Sequence, residues 1–424
     1  MRATAVREGR RGVFWPHLVC GAFVVLWLDV GVATAWMTAL PSVVKLGVLA
    51  CWLVLATLRS TPFLGTVTVN AWPLAMMLLV TFLYSAEITQ WRQYAQGLGY
   101  LLIAFALFCF YAREQVRKER NVLMAVMLAD LAVTGVRTLI ALQADPLLAR
   151  YLATTEQDRS AVYGSRSFAG LGGYPYAYSL AAILVLLLYF LVRSTRKAIL
   201  LVAFLVGGLV LVQMAFTTST VLVLALGAGF LVRDIIRRPE LRFILYAAAI
   251  IGWVSGLYSA TLHWMAGLPG VSAAVSTRLL ELAGVLSGDS STGSDLGVRV
   301  AHWSNSLQLF LSSGVFGLAG RSGKDQDTGA HSQWLDLLAS YGLWIGLLAL
   351  FLVFAWRLAR TRVSPTARES LGRPWVFFLI LGFVGTLFWS TIVLTWMFLL
   401  PALAEWLGDR TRNRAPATRE AVAV

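Results

Sequence analysis

Apolar residues gather in blocks close to 20 long, separated by short polar stretches. The blocks run over 13–31, 42–58, 67–84, 95–112, 121–142, 174–192, 198–216, 219–232, 243–262, 333–356, 375–389 and 391–407. A helix of that length crosses a hydrocarbon layer about 30 Å thick. A barrel strand would alternate apolar and polar positions, and these blocks do not. The pattern predicts an all-α polytopic membrane protein of about twelve transmembrane helices. It divides the chain into a first set of nine helices (1–262), a long polar loop (263–332), three closing helices (333–407) and a basic tail (408–424).

The polar stretches set an orientation. With the N-terminus inside, the inner segments are "MRATAVREGRR", Arg59, "REQVRKER", "RSTRK", "RDIIRRPELR", "WRLARTRVSPTARESLGRP" and "GDRTRNRAPATRE". They hold 25 of the 35 Lys and Arg residues, the bias that marks cytoplasmic loops. Both termini are then cytoplasmic, and the two long segments, about 143–173 and 263–332, lie outside. Composition agrees: 58% of residues are hydrophobic and 13% charged, where a soluble domain carries about a quarter charged. The net charge of +14 comes from these loop clusters. No aromatic-basic stripe accompanies it, which excludes nucleic acid as a partner. Cys20, Cys51 and Cys109 fall in apolar blocks and read as small buried hydrophobes. The first block reads as an anchor, and no repeat of 20–50 residues is visible.

The large outer loop carries two stretches of helical pattern, 271–288 and 296–314. In the second, Val300, Trp303, Leu307 and Phe310 form one stripe; Arg299, His302 and Ser306 form another. Such helices either lie in the headgroup layer with a basic edge to the membrane or cover the bundle as a lid. The loop re-enters the membrane at "GAHSQWLDLLASYGLWIG" (329–346). His331 sits at the expected start of a helix, with Ser332 and Thr328 as candidate caps. A helix N-terminus attracts phosphate and disfavours imidazolium, so a neutral histidine there suits a general base. The bland alternative is an interfacial histidine that only caps the helix. Asp336, one turn on, is placed to act on the same helix end and orient the ring.

These segments resemble the O-antigen ligase and polymerase superfamily, bacterial membrane glycosyltransferases of the GT-C type, and the ligases most of all. "GAHSQWLDLLASYGLWIG" resembles the family's histidine segment. "VRVAHWSNSLQLFLSSGVFGLAG" resembles its arginine-tryptophan segment, with His302 and Trp303 as supporting residues. "GSRSFAGLGGYPYAYSLAA" resembles an earlier stretch where an arginine and glycines lead into a span. The resemblance implies transfer of a glycan from undecaprenyl pyrophosphate to a hydroxyl of lipid A–core, on the periplasmic face of the bacterial inner membrane and without metal or cofactor. His331 would activate the acceptor, Arg299 would hold the pyrophosphate, and Arg166 is a second donor contact. A polymerase would use a second lipid-linked glycan as acceptor. Membrane lipids are the remaining partner.

One stretch departs from the family. Where a serine-arginine pair is common, this chain reads "AFTTSTVLVL", with Thr217, Thr218, Ser219 and Thr220 and no arginine. Hydroxyls donate to phosphate without adding charge. Either Arg137, Arg166 or Arg278 takes over, or the donor is held differently. Asp325 and Asp327 form a D-x-D pair, a pattern used elsewhere for divalent metal; in a loop with Gly and Lys it reads as solvated. A transporter is the competing class. It would place ionisable residues at mid-membrane beside broken helices. Here Asp130 lies near mid-span and reads as structural, paired across helices, while Arg137, Asp29 and Lys45 lie toward the outer face.

Overall fold

The computed structural model describes residues 14–29, 37, 39–88, 90–145, 148, 170–193, 197–214, 229, 233, 238–269, 271, 273–287, 295–320, 328 and 332–412. Every regular element among them is helical. The first helices are α1 (Trp15–Leu28), α2 (Ser42–Arg59), α3 (Thr61–Leu83), α4 (Trp91–Tyr111) and α5 (Arg117–Ala144). Next come α6 (Tyr174–Arg193), α7 (Lys197–Gln213), α8 (Pro239–Val254), α9 (Leu257–Ala266), α10 (Ala273–Leu286) and α11 (Asp295–Ser313). The chain closes with α12 (Gln333–Tyr341), α13 (Ile345–Arg362), α14 (Pro365–Val384), α15 (Ser390–Leu394) and α16 (Leu400–Arg412). Prolines open α1, α3, α8 and α14, where a missing N–H costs nothing. Pro73 and Pro374 sit inside α3 and α14.

Seven of the described helical stretches are long and apolar enough to cross a membrane, and eight if α8 and α9 count as one broken span. The chain is a multi-pass membrane protein. Of the twelve expected spans, α1 and α7 are shorter apolar helices, and 219–232 lies almost wholly outside the described residues. The block at 243–262 is not one straight helix. It bends by 68° between α8 and α9, at Gly256, whose φ of +74° only glycine adopts freely. The block at 375–389 also shifts. Its helix, α14, begins at Pro365, with the Ser364 hydroxyl accepting from the Ala367 N–H.

α4, α6 and the α15–α16 stretch form the centre of the bundle. Between α15 and α16 a π turn, Thr395–Leu399, holds Trp396 stacked on Phe378 and edge-on to Trp375. α2, α3, α7 and α8 lie outside and turn large apolar side chains outward, among them Val43, Leu58, Leu64, Phe82, Val206 and Phe243. In water such a surface would drive aggregation; in lipid it costs nothing. One reading needs correction here. Cys109 is buried, but Cys51 is exposed and Cys20 half-exposed, and the sulfurs of Cys20 on α1 and Cys51 on α2 lie 3.9 Å apart. A small apolar side chain facing lipid needs no burial in protein.

The basic segments meet at one end of the bundle. Glu119 on α5 is buried there and accepts from Arg59 Nη1 through both oxygens (3.0 and 2.9 Å) and from the Phe14 N–H (3.2 Å). His17 Nδ1 lies 3.3 Å from the same carboxylate, and the Tyr111 hydroxyl 3.2 Å from that nitrogen. Arg117 pairs with Glu114 and with Asp409, and Arg193 with Glu369. These bonds tie the ends of α1, α2 and α5 together and join α5 to α16 and α6 to α14.

Candidate functional site

At the opposite end of the bundle, α12 begins where the large loop returns. Ser332 is its N-cap, and its hydroxyl accepts from the Leu335 N–H at 3.3 Å. Asp336 reaches back one turn. Its Oδ2 accepts from the Ser332 N–H at 3.2 Å, and its Oδ1 from the Ser306 hydroxyl at 2.7 Å. Ser306, Ser332 and Asp336 are each at least 97% buried. The carboxylate therefore satisfies an otherwise orphaned helix donor and staples α11 to α12. A negative group in a first turn also gains from the helix dipole.

That staple corrects the expected face of α11. The stripe with His302 and Ser306 was predicted to be the polar edge, yet Ser306 is buried and Leu307 is 44% exposed. A hydrogen bond to a buried carboxylate is worth more than covering one leucine that faces lipid. His302 and Trp303 are half-buried on the same helix, and the Trp303 indole N–H is buried without a partner.

Two glycines fix how the loop passes over α12. The short helical segment Gly314–Gly320 follows α11, and its Gly317 (φ +64°) abuts Gly342 (φ +56°) at the end of α12. A Cβ on Gly317 would lie 2.5 Å from Gly342 N, and one on Gly342 would lie 2.1 Å from Val315 O. Only two glycines allow backbones this close.

The third wall is the turn between α14 and α15. Gln333 Oε1 accepts from the Leu387 and Phe388 N–H groups at 3.0 and 3.3 Å, and the Gln333 N–H donates to Gly385 O. Trp334 Nε1 donates to Leu379 O at 2.7 Å, over Gly382. From α4, Tyr94 packs its ring 5.7 Å from that of Tyr341. Its hydroxyl lies beside Thr328 and Ser340 and within electrostatic reach of Asp336. The Ser340 hydroxyl is likewise buried.

Of the residues singled out in the sequence, the structure joins Ser332 and Asp336 at the start of α12. Thr328 is buried nearby but does not cap α12. Arg137 is exposed on α5, just beyond the edge of a buried stripe that includes Asp130. His331, Arg166, Asp325, Asp327 and 217–220 lie outside the described residues. Arg278 and Arg299 fall within α10 and α11, but their side chains lie outside the description. Sequence reasoning missed Tyr94, Ser340 and Gln333. Gln333 stands inside the histidine segment, where a polar residue in a helix's first turn is a local signal; Tyr94 carries none. No family model matches the chain, and no curated protein matches it.

Proposed function

We propose that the chain is a glycosyltransferase of the O-antigen ligase kind, moving a glycan from undecaprenyl pyrophosphate to a hydroxyl of lipid A–core. In this reading it has twelve spans of the GT-C type in the bacterial inner membrane. Both termini are cytoplasmic, and the α11–α12 end faces the periplasm. The observation that carries the proposal is the rigid, doubly anchored start of α12, with Asp336 binding both the Ser332 N–H and Ser306, immediately after His331. A base must be held within a fraction of an ångström to work, and a buried second layer of hydrogen bonds supplies that.

The acceptor hydroxyl gives its proton to His331 while its oxygen bonds to the anomeric carbon. The bond from that carbon to the pyrophosphate oxygen breaks, and the electron pair leaves with the polyprenyl pyrophosphate. Attack opposite the leaving group inverts the anomeric centre. Arginine suits the leaving charge because its planar fork meets phosphate oxygens in pairs; Arg299, Arg166, Arg137 and Arg278 fill that role. His302 and Trp303 on α11 line the approach.

Reconstituted protein mixed with a lipid-linked glycan and lipid A–core, without ATP, is expected to form product, and His331→Ala to abolish it with the fold intact. Product formed only on a second lipid-linked glycan would reassign the chain as a polymerase. Lipid scrambling that survives His331→Ala, with no product on either acceptor, would overturn the transferase reading.

A further inference from the structure

The basic end of the bundle has more guanidinium groups than carboxylates to meet them. Arg59 takes Glu119, Arg117 takes Glu114 and Asp409, and Arg193 takes Glu369. Arg120 and Glu405 line one small cavity. Among the described residues, Arg113 and Arg362 pair with no carboxylate, and Arg362 is close enough for its charge to act on Arg113. Arg113 follows the end of α4 and Arg362 closes α13. The residues beside them, Ala112 and Val363, line that same cavity, so the two helix ends lie side by side.

Arg113 is held in place. Its Nε donates to Phe110 O at 3.0 Å, and its guanidinium sits 4.4 Å over the Phe110 ring. The Arg59 guanidinium is 5.9 Å from the same ring. The Nη2 of Arg113 is buried and has no hydrogen-bond partner. Burial, and then the charges of Arg362 and Arg59, bring its pKa down to about 10. A fixed, half-buried cation with an unused donor, facing two more cations, is a costly arrangement unless an anion completes it. Next to Arg59 in the chain, Ser60, which precedes α3, keeps a buried hydroxyl that caps nothing. Leu58 and Leu64, on either side of Ser60, are 76% and 53% exposed. An anion at this point therefore stands at the rim of a lipid-facing apolar wall.

We propose that Arg113 and Arg362 bind the phosphate of an anionic phospholipid headgroup, whose acyl chains lie along the exposed faces of α2 and α3. Basic pockets between membrane helices bind such headgroups. Each guanidinium offers a planar pair of donors to the phosphate oxygens. This site is at the far end of the bundle from α12 and does not depend on the transferase reading.

The test uses the full chain in a neutral detergent, titrated with dioleoyl-phosphatidylglycerol or dioleoyl-phosphatidylcholine, with bound lipid counted by native mass spectrometry. The phosphatidylglycerol is expected to be retained in preference, and Arg362→Gln to weaken it about fivefold. Arg362 is exposed, so this variant leaves the fold alone; Arg113→Gln is expected to weaken binding at least as much. Lys197→Gln, an exposed basic residue at the start of α7, is expected to change nothing. The proposal fails if the two lipids bind equally, if Arg362→Gln binds like the wild type, or if Lys197→Gln costs as much. It fails equally if millimolar inorganic phosphate protects the protein from thermal unfolding as well as phosphatidylglycerol does.

Discussion

Replacing Asp336 by alanine removes one carboxylate and strands two buried donors. The Ser306 hydroxyl, 2.7 Å away, and the Ser332 N–H, 3.2 Å away, both lose their acceptor. Neither is reached by solvent, since Ser306 is 1% and Ser332 0% exposed. A hydrogen bond to a charged group contributes about 1.5–3 kcal/mol, while interhelical hydrogen bonds within a membrane average about 0.6 kcal/mol. This pair sits at the end of a span, so the two together should cost about 2–4 kcal/mol. Asparagine is the informative comparison. Its amide oxygen can still accept from the Ser332 N–H, and its NH2 can donate to Ser306 once that hydroxyl turns. Asp336→Asn should therefore cost about 1 kcal/mol or less. Thermal unfolding in detergent, at one scan rate because such unfolding is commonly irreversible, should show Asp336→Ala lower by roughly 3–8 °C. Asp336→Asn should stay within about 2 °C of the wild type. Transferase activity should fall in the same order, because a misplacement of about 1 Å costs on the order of 100-fold in rate. Equal damage from both variants would show that charge rather than hydrogen-bond geometry matters, and an unaffected alanine variant would remove the staple from the argument altogether.

Gly317→Ala and Gly342→Ala each force a Cβ into backbone and occupy a positive φ; about 2–4 kcal/mol of destabilisation is expected in the same thermal assay. Gly346→Ala, with nothing within 4 Å of the new Cβ, should be neutral. Glu119→Ala leaves Arg59, His17 and the Phe14 N–H without their shared acceptor and should cost about 3–5 kcal/mol; Glu119→Gln, which still accepts, should cost less, by the same measurement. Product formation by the reconstituted protein is expected to persist in excess EDTA, since one base and a few arginines suffice for the chemistry; loss of product restored by a divalent cation would bring Asp325 and Asp327 back into the reaction.

Helix identity was legible where composition changes sharply. The block 42–58 became Ser42–Arg59, and 174–192 became Tyr174–Arg193, because Pro41 and the glycines before Tyr174 end one regime and an arginine ends the other. The start of α3 was read six residues late. Gly65, Thr66 and Thr68 dilute hydropathy there without harming a helix whose side faces lipid. The bend at Gly256 was invisible, because hydropathy is continuous across 243–262 while the break is a dihedral. At the candidate site, the Ser332 cap and the return of Asp336 to the helix start are local, and the sequence predicted both. The bonds from Asp336 to Ser306 and from Gln333 to Leu387 join residues 30 and 54 positions apart, and no periodicity records such pairs. Ser306 was misplaced for that reason: a helical wheel tells which residues share a face, not which face finds a carboxylate.

The elbow at Gly256 has a consequence for the surrounding lipid. α8 has 16 residues and so rises only about 24 Å, against a hydrocarbon layer of about 30 Å. A short span is accommodated by snorkelling side chains, by association, or by drawing the leaflets together. From Phe243 to Thr277 there is no lysine or arginine to snorkel, so beyond Arg242 the adjustment falls to the leaflets. If α9 lies outside the hydrocarbon rather than completing a broken span with α8, the bilayer is drawn in beside α8, and a lipid standing there meets a thinner barrier than elsewhere around the bundle.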